Sequence, residues 1–498
     1  MSETTHLEVR RGSYHDSVTL MQVSRDVAAV DGVTAAQVAM GTELNLDLMS
    51  GMGFPAPADA GPNDLVVAVR ANDDQAVQDA LARLESALTA SGASGSGLGG
   101  GEPEPRTLAS AVRRSPEPPT LALVSVPGAH AFTEALSALR SGVSVLVFSD
   151  NVPVEDEVRL KDEAADRGLL VMGPDCGTAV VSGAGLGFAN AVRPGPVGLV
   201  AASGTGAQQL MCLLDGAGVG VSHCLGVGGR DLSAAVAGRS TRAALQMLDD
   251  DPATELIVLV SKPPDPAVAE EVTAYAEKLA TPVHLALLGP GRPDLTQVAA
   301  EAVRAVGGTW ADPRSWPAPA PREGTYPTLR GLFAGGTLCD EAMVIASEAL
   351  GPVRSNIPLQ PDWALGPDLR APGTHSMVDF GDDALTQGRA HPMIDQRTRV
   401  DRLADETAEP GVVLLDVVLG HAAHPDPASE LAPAIEAVLG AARGAGRDLA
   451  VVVSLCAATD DPQGLDRQAT ALQAAGASVH LSNAEAARTA VDLVGGAR

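Results

Sequence analysis

Val197-Gly-Leu-Val-Ala-Ala202 runs directly into Ser203-Gly204-Thr205-Gly206, and an apolar-spaced segment follows to Leu214. This stretch decides the fold. An apolar run with no alternation reads as a strand covered on both faces, the signature of a parallel sheet. The small residues after it form a turn from which a helix starts at once. A helix beginning there leaves N–H groups without partners. Together with the Ser203 and Thr205 hydroxyls and the helix dipole, these suit a phosphate or a carboxylate. The plainer reading is a tight strand-to-helix turn with a Ser or Thr cap. Four small residues in succession are more than a cap requires.

The same grammar extends in both directions. Leu121–Val126, Val143–Phe148 and Leu169–Met172 are apolar strands separated by helical runs at 131–139 and 154–167. They predict a Rossmann-like domain over 120–194. Leu256–Val260 and Val283–Leu288 continue the sheet of a flavodoxin-like domain over 195–309. Pro313, Pro317, Pro319 and Pro321 mark a linker at 310–325. From 326 to 498 the pattern recurs, with strands at Leu329–Ala334, Val412–Leu419, Leu449–Ser454 and Ser478–Leu481. The irregular stretch 351–393 lies inside it. Upstream, residues 1–90 read as a small ferredoxin-like α+β domain, with strands near 7–10, 35–40 and 64–70 and helices at 17–28 and 73–88. The Gly-, Ser- and Pro-rich segment 91–119 reads as a flexible linker. Alternating strands and helices give an α/β class built on parallel sheets.

Composition narrows the function. The 498 residues carry 34 basic and 62 acidic side chains, a formal charge of −28. That balance argues against nucleic acid, whose phosphates need clustered cations. The lysines are Lys161, Lys262 and Lys278, and none follows a glycine, which excludes a P-loop. Five widely spaced cysteines with no C-x-x-C argue against a disulfide framework or a zinc ribbon. No basic, apolar leader opens the chain and no apolar run reaches bilayer length, so a cytoplasmic location with no membrane partner is expected.

Further candidate sites follow from strand ends. Gly226-Val-Gly228-Gly229-Arg230-Asp231 combines close backbone approach with a guanidinium fork, so Gly228, Gly229 and Arg230 join Ser203, Gly204, Thr205 and Gly206 as an expected phosphate pocket. An exposed loop with a salt bridge is the competing reading. Gly335-Gly336-Thr337 repeats the strand–glycine–helix theme. Asp416, His421 and His424 sit at the end of another strand and are expected to carry acid/base or phosphate chemistry; a capping loop with solvated histidines is the alternative. No metal site is expected there, since no further ligand spacing supports one. Asp379, Asp382, Asp383, His391 and Asp395 line the same site or are solvated. Cys176, with no base in sequence, reads as structural.

Met172-Gly-Pro-Asp-Cys-Gly177, Pro196–Thr205 and Gly226–Gly229 resemble the α subunit of succinyl-CoA synthetases in order and spacing. The chain resembles the FdrA family more fully. The matching runs are Gly173–Thr178, Ala202–Gly206, Gly228–Leu232, Gly331–Cys339, His391–Asp395, Leu415–His421 and His424–Pro427. This resemblance implies a CoA-binding-type Rossmann domain, flavodoxin-like synthetase domains, and a final unit similar to the C-terminus of the synthetase β subunit. FdrA-type proteins are commonly described as acyl-CoA synthetase-like. Some are associated with purine-ureide (allantoin) breakdown as a subunit of an oxamate carbamoyltransferase with separate partner subunits. A synthetase α chain carries a phosphorylated His after the strand matching Val283–Leu288; here Leu288-Gly-Pro-Gly-Arg-Pro293 has none. The glycine-rich first turn of the CoA-binding domain has no counterpart and no ATP-grasp domain is visible. These departures argue against a full ligase cycle.

The leading expectation is therefore a carbamoyltransferase subunit that binds carbamoyl phosphate or phosphate as ligand. It requires no resident cofactor, and CoA is admitted as a ligand. An acyl-CoA ligase and a non-catalytic, metabolite-sensing subunit are the alternatives.

Overall fold

The computed structural model describes residues 3–55, 57, 60–92, 105, 107–319, 326–386, 389–406 and 409–495. The chain divides into two compact units, one built on residues 1–106 with 386–390 and the other on 107–385 with 391–498.

The first unit holds β1 (Thr4–Arg10), α1 (Ser17–Ala28), β2 (Val33–Met40), α2 (Glu43–Gly51), β3 (Leu65–Ala71) and α3 (Asp74–Gly92). Its sheet is antiparallel in the order β1-β3-β2. Leu20, Val23, Val27, Val67, Val69, Ala80 and Leu84 form the core that fixes α1 and α3 against one face. The sequence reading lacks α2, which begins at a Thr42 cap whose side chain accepts from the Asn45 amide. The expected linker 91–119 contains α4 (Leu108–Arg114), opened by a capping box between Thr107 and Ser110. Residues 93–104, the Gly-rich part of that linker, lie outside the described residues.

The second unit opens with β4 (Leu121–Val124), α5 (Gly128–Arg140), β5 (Ser144–Val147), α6 (Val154–Ala165) and β6 (Val171–Met172), a three-stranded parallel sheet in sequential order. The next elements are β7 (Thr178–Val181), β8 (Ala184–Gly187), β9 (Pro194–Ala202), α7 (Gly204–Gly216), β10 (Val221–Gly226), α8 (Arg239–Asp249), β11 (Leu256–Ser261), α9 (Pro266–Ala276), β12 (Val283–Leu287) and α10 (Leu295–Ala305). They build a six-stranded sheet, β12-β11-β9-β10-β7-β8. The hairpin β7–β8 departs from the sequence reading. It falls before residue 195 yet adds to this second sheet, antiparallel to β10.

The last elements are β13 (Ser315–Trp316), β14 (Leu329–Phe333), α11 (Gly336–Leu350), β15 (Arg354–Ser355), β16 (Ser376–Asp379), α12 (Asp383–Thr386), α13 (Arg397–Asp405), β17 (Gly411–Val418), α14 (Pro427–Gly444), β18 (Leu449–Cys456), α15 (Leu465–Ala474), β19 (Ser478–His480) and α16 (Asn483–Gly495). Their sheet runs β13-β19-β18-β17-β14-β16-β15. Three short strands escape the sequence reading. β13 lies inside the expected linker at 310–325, of which 320–325 are outside the described residues, and β15 and β16 lie inside the irregular stretch 351–393.

The two large sheets share a helical layer. α7 and α10 pack together on one sheet, α11 and α16 on the other, and α7 meets α11 while α10 meets α16. Thr205 through Asp215 of α7 are all buried as a result. Apolar packing such as Cys212 Sγ at 3.9 Å from Cys456 Sγ, and hydrogen bonds such as Gln209 Nε2 to the Leu481 carbonyl at 2.9 Å, tie the layers together. This layer sets two strand-to-helix turns opposite each other. Among the described residues, no helix is long and apolar enough to cross a membrane.

Candidate functional site

Ser203 caps α7, its Oγ accepting from the Gly206 amide at 3.0 Å, a bond that contributes about 1 kcal/mol. Gly335 stands at the corresponding position of α11. Across the helical layer Ser203 Oγ and Thr337 Oγ1 share a hydrogen bond of 2.6 Å. Gly335 approaches Thr205 so closely that an added Cβ would lie 2.8 Å from its Oγ1. The amides of Gly204, Thr205, Gly336 and Thr337 take no partner among the described residues. Two positive helix ends thus converge, each equivalent to roughly half a charge. Gly204 is exposed, whereas Ser203, Thr205 and Thr337 are buried.

The neighbouring wall comes from loops at the same sheet edge. Gly228, at φ +89°, rides over the Gly173–Asp175 loop; a Cβ there would sit 2.5 Å from the Pro174 carbonyl oxygen. Asp231 anchors this loop from beneath. It pairs with the fully buried Lys161 at 2.7 Å and accepts from the Thr241 amide at 2.9 Å. The narrow cleft between Asp175, Thr178, Ser203, Gly204, Gly228 and Gly229 has an accessible volume of about 10 Å³, room for one water-sized group. Beyond Gly229 the edge opens into a cavity of about 310 Å³ that includes Ser233, Lys262 and Pro264.

The electrostatics of this edge depart from those of an ordinary surface. Asp175 is open to solvent yet lies deep among surrounding protein; that setting, reinforced by the nearby Asp383 charge, pushes its carboxyl up to about 7 against the pull of Lys262. Asp340, on the first turns of α11, is buried and also pushed up to about 7 by burial, with Lys262 opposing. Burial drives Asp379 well above the carboxylate range; its Oδ1 accepts from the Gly381 amide at 2.9 Å. A Cβ on Gly336 would meet Asp379 Oδ2 at 2.8 Å, and one on Gly381 would meet His391 Nε2 at 2.8 Å. Burial lowers His391 to about 4, so the ring is neutral; its Nδ1 accepts from the Met393 amide at 3.2 Å, which leaves the proton on Nε2.

Several sequence candidates take other places. Arg230 is turned away from the cleft: its guanidinium pairs with Glu157 at 2.9 Å and donates to the Val152 carbonyl at 2.8 Å. Asp416 is fully buried rather than poised at a strand end. It accepts from the Ala334 and Gly335 amides at 2.7 and 2.8 Å and pairs with buried Arg399 at 2.6 Å. Burial raises Asp416 and lowers Arg399. Asp416 therefore shapes the turn that starts α11. His424 is buried and locked, accepting at Nδ1 from the Asp426 amide at 2.9 Å and bonding Glu430 through Nε2 at 3.0 Å. His421 is exposed beside β8, with Cδ2 near Gly185, and no hydrogen bond joins its ring to the Ser203 turn among the described residues. Asp395 pairs with Arg397. Cys176 is buried and its thiol is pushed up to about 12 by that burial, so it is inert.

Sequence reasoning passes over Lys262, Asp175, Asp340 and Thr337 as charge or hydrogen-bond carriers of this edge. The available signal for Lys262 is its place directly after the apolar strand 256–261, the ligand edge of an open α/β sheet.

Residues 332–493 match the CoA-ligase family, and residues 1–105 match the heavy metal-associated domain of AllF. The first 105 residues contain no cysteine, so this segment offers no thiolate to a soft metal, and among the described residues no three His, Cys, Asp or Glu side chains form a metal-holding group. The chain is 38% identical over 491 residues to the uncharacterized protein YahF of Escherichia coli, with 94% of each chain covered. It is 28% identical over 174 residues to the alpha subunit of the ADP-forming succinate–CoA ligase of Methanothermobacter thermautotrophicus, 34% of this chain and 58% of that one. The alpha subunit of malate–CoA ligase from Methylorubrum extorquens is 26% identical over 192 residues, 37% of this chain and 62% of that one. The chain thus spans less than two thirds of these ligase subunits.

Proposed function

The chain belongs to the family of YahF and ends in a CoA-ligase domain, and from that premise we propose that it is an acyl-transferring enzyme of the CoA-ligase type that handles a small acyl phosphate. The observation that carries this reading is the opposition of two helix N-termini, joined by the Ser203–Thr337 hydrogen bond and offering unpartnered amides at Gly204, Thr205, Gly336 and Thr337. In this reading the phosphoryl oxygens occupy that junction. The acceptor's electron pair forms a bond to the acyl carbon, the bond from that carbon to the phosphate oxygen breaks, and inorganic phosphate leaves with the electron pair. The amides stabilise the charge that gathers on the departing phosphate, an effect for which loss of one donor commonly costs about 10²–10³ in rate. Asp175, open to solvent and near neutrality, accepts the acceptor's proton.

The family resemblance favours the CoA thiol as acceptor. A second reading, carbamoyl phosphate with a carboxamide such as oxamate and with separate partner subunits, is favoured by the Leu288–Pro293 turn. It holds no histidine to pass a phosphoryl group to a nucleotide.

The test compares the full chain, alone and with proteins co-purified from its native cell, on acetyl phosphate plus CoA and on carbamoyl phosphate plus oxamate. Phosphate release is followed together with the mass of the acylated product. Acceptor-dependent release that collapses in Ser203→Ala/Thr337→Ala, with melting retained, supports the reading. Absence of turnover on either pair, with no protection against heat by phosphate, removes it.

A further inference from the structure

Asp379 ends β16 level with Phe333 of β14, the strand that leads into α11, and the residue is 5% exposed. Its Oδ1 accepts from the Gly381 amide at 2.9 Å, while Oδ2 has no hydrogen-bond partner among the described residues. Oδ2 is aimed at the start of α11: a Cβ built on Gly336 would lie 2.8 Å from it. Gly336 carries one of the unpartnered amides of the Ser203–Thr337 junction. His391 closes the corner, its ring centroid 5.9 Å from that of Phe188. The Phe188 carbonyl accepts from Thr178 Oγ1 at 2.9 Å, and Thr178 lines the cleft beside Ser203 and Gly204. The Asp379 corner therefore adjoins the turn that the article's functional reading fills with phosphate. Burial is the first cause that holds the Asp379 carboxyl in its neutral form. The Gly381 amide opposes it, and the charges of Asp416, Asp382 and Asp340 add to it. Arg399 is engaged by Asp416, His391 is neutral, and the Cys339 thiol is held neutral by burial.

We infer that Asp379 is the acid that protonates the departing phosphate, through the Oδ2 that faces Gly336. The inference rests on reading the Ser203 turn as the phosphate site, and it adds the source of the leaving group's proton. An acyl phosphate enters as a dianion. When the bond from the acyl carbon to the bridging oxygen breaks, the electron pair stays on that oxygen, and an unprotonated phosphate would leave as a trianion. A third negative charge is costly at an edge that already holds Asp175, Asp340 and Asp382, in a chain of formal charge −28. In the inferred step the Asp379 O–H bond breaks together with the carbon–oxygen bond. The proton passes to the bridging oxygen, and hydrogen phosphate leaves as a dianion. The Asp379 carboxylate then regains its proton from water. A bound dianion beside the carboxyl favours its neutral form further, as any like charge does. Asp379 thus gives a proton while Asp175, open to solvent, receives the acceptor's, so two carboxyls of one edge divide acid from base.

The experiment compares the full chain with Asp379→Asn, on the acyl phosphate and acceptor that the wild type turns over and on the methyl ester of the same acyl phosphate. Asn keeps the shape and the oxygen that takes the Gly381 amide, so the variant is compatible with folding, and melting without ligand verifies it. The methyl ester enters as a monoanion and leaves as a dianion without needing a proton. The expected result is a kcat for the acyl phosphate about 10²-fold lower or more in Asp379→Asn, with KM within about threefold. The fall of wild-type kcat at alkaline pH, where the acid is lost, disappears in the variant. The methyl ester reacts within about fivefold of wild type. A kcat within about threefold of wild type, an alkaline fall retained in the variant, or an equal loss on the methyl ester overturns the inference while leaving the phosphate site standing. A second readout needs no turnover: protection against heat by inorganic phosphate, from about pH 5 to about pH 9. A neutral Asp379 donates to bound phosphate and an ionised one repels it, so protection should fall more steeply with pH in the wild type than in Asp379→Asn. Identical pH dependence in both overturns the inference. Absence of phosphate protection in the wild type at every pH removes the phosphate reading itself, and the inference with it.

Discussion

Replacing Asp416 by Asn separates a structural carboxylate from a chemical one. Asp416 has no exposed surface and Arg399 almost none, and their contact is 2.6 Å. Removing the charge leaves the guanidinium buried and unmatched, which costs about 3–5 kcal/mol. The Asn side chain can accept from only one of the Ala334 and Gly335 amides through its oxygen, leaving the other facing an NH₂ group. At about 2–4 °C per kcal/mol for a domain of this size, melting of the C-terminal domain falls by roughly 6–20 °C. Tryptophan fluorescence reads that domain selectively, because the three tryptophans are Trp310, Trp316 and Trp363. The companion variant Arg399→Met and the double variant complete a cycle. The double variant should be more stable than the sum of the single losses by about 1–3 kcal/mol, since it removes the orphaned charge. If Asp416→Asn melts within about 1 °C of wild type while turnover collapses, the residue is chemical and the structural argument fails.

Asp340 and Glu341, both buried on α11, carry carboxyls pushed up to about 7. Glu341 is raised by burial and by Asp294, against hydrogen bonds from Asn483 and the Leu295 amide and the charge of Arg488. A carboxyl raised on folding holds its proton more tightly in the native state. Stability is therefore complete below about pH 4, falls as pH rises to about 7, and stays lower above that. Melting temperatures should drop between pH 5 and pH 8, and Asp340→Asn or Glu341→Gln should flatten that slope by at most about 4 kcal/mol each; equal slopes in wild type and variants would contradict the burial argument. Gly228→Ala should cost about 1–3 kcal/mol in denaturant melts, because it places a side chain at φ +89° against the Pro174 carbonyl; an unchanged midpoint would show that the loop yields freely.

The parallel sheets were legible because buried parallel strands are almost wholly apolar, as Leu256–Val260 is throughout and Val412–Val418 is save for Asp416. The short strands β13, β15 and β16 were not, since two to four residues carry no period and their pairing is set by other strands. The Ser203 turn announces itself through local chemistry, and Gly335–Thr337 repeats it; that the two face each other is a tertiary fact. Asp416 and His424 misled for one reason. A polar residue at a strand end looks chemical in sequence, and only the fold reveals Arg399 at one and Glu430 at the other. Lys262 failed in the opposite sense: a lone lysine in an acidic chain looks incidental until the cavity beside it is seen.

The β7–β8 hairpin also bears on how the protein can be dissected. A fragment starting at 195, where the sequence invites a cut, would strip the cover from β10 and leave its amides and carbonyls free to template foreign strands. Such a piece is expected to precipitate, whereas one beginning ahead of Gly173 carries its own selvage and should stay in solution.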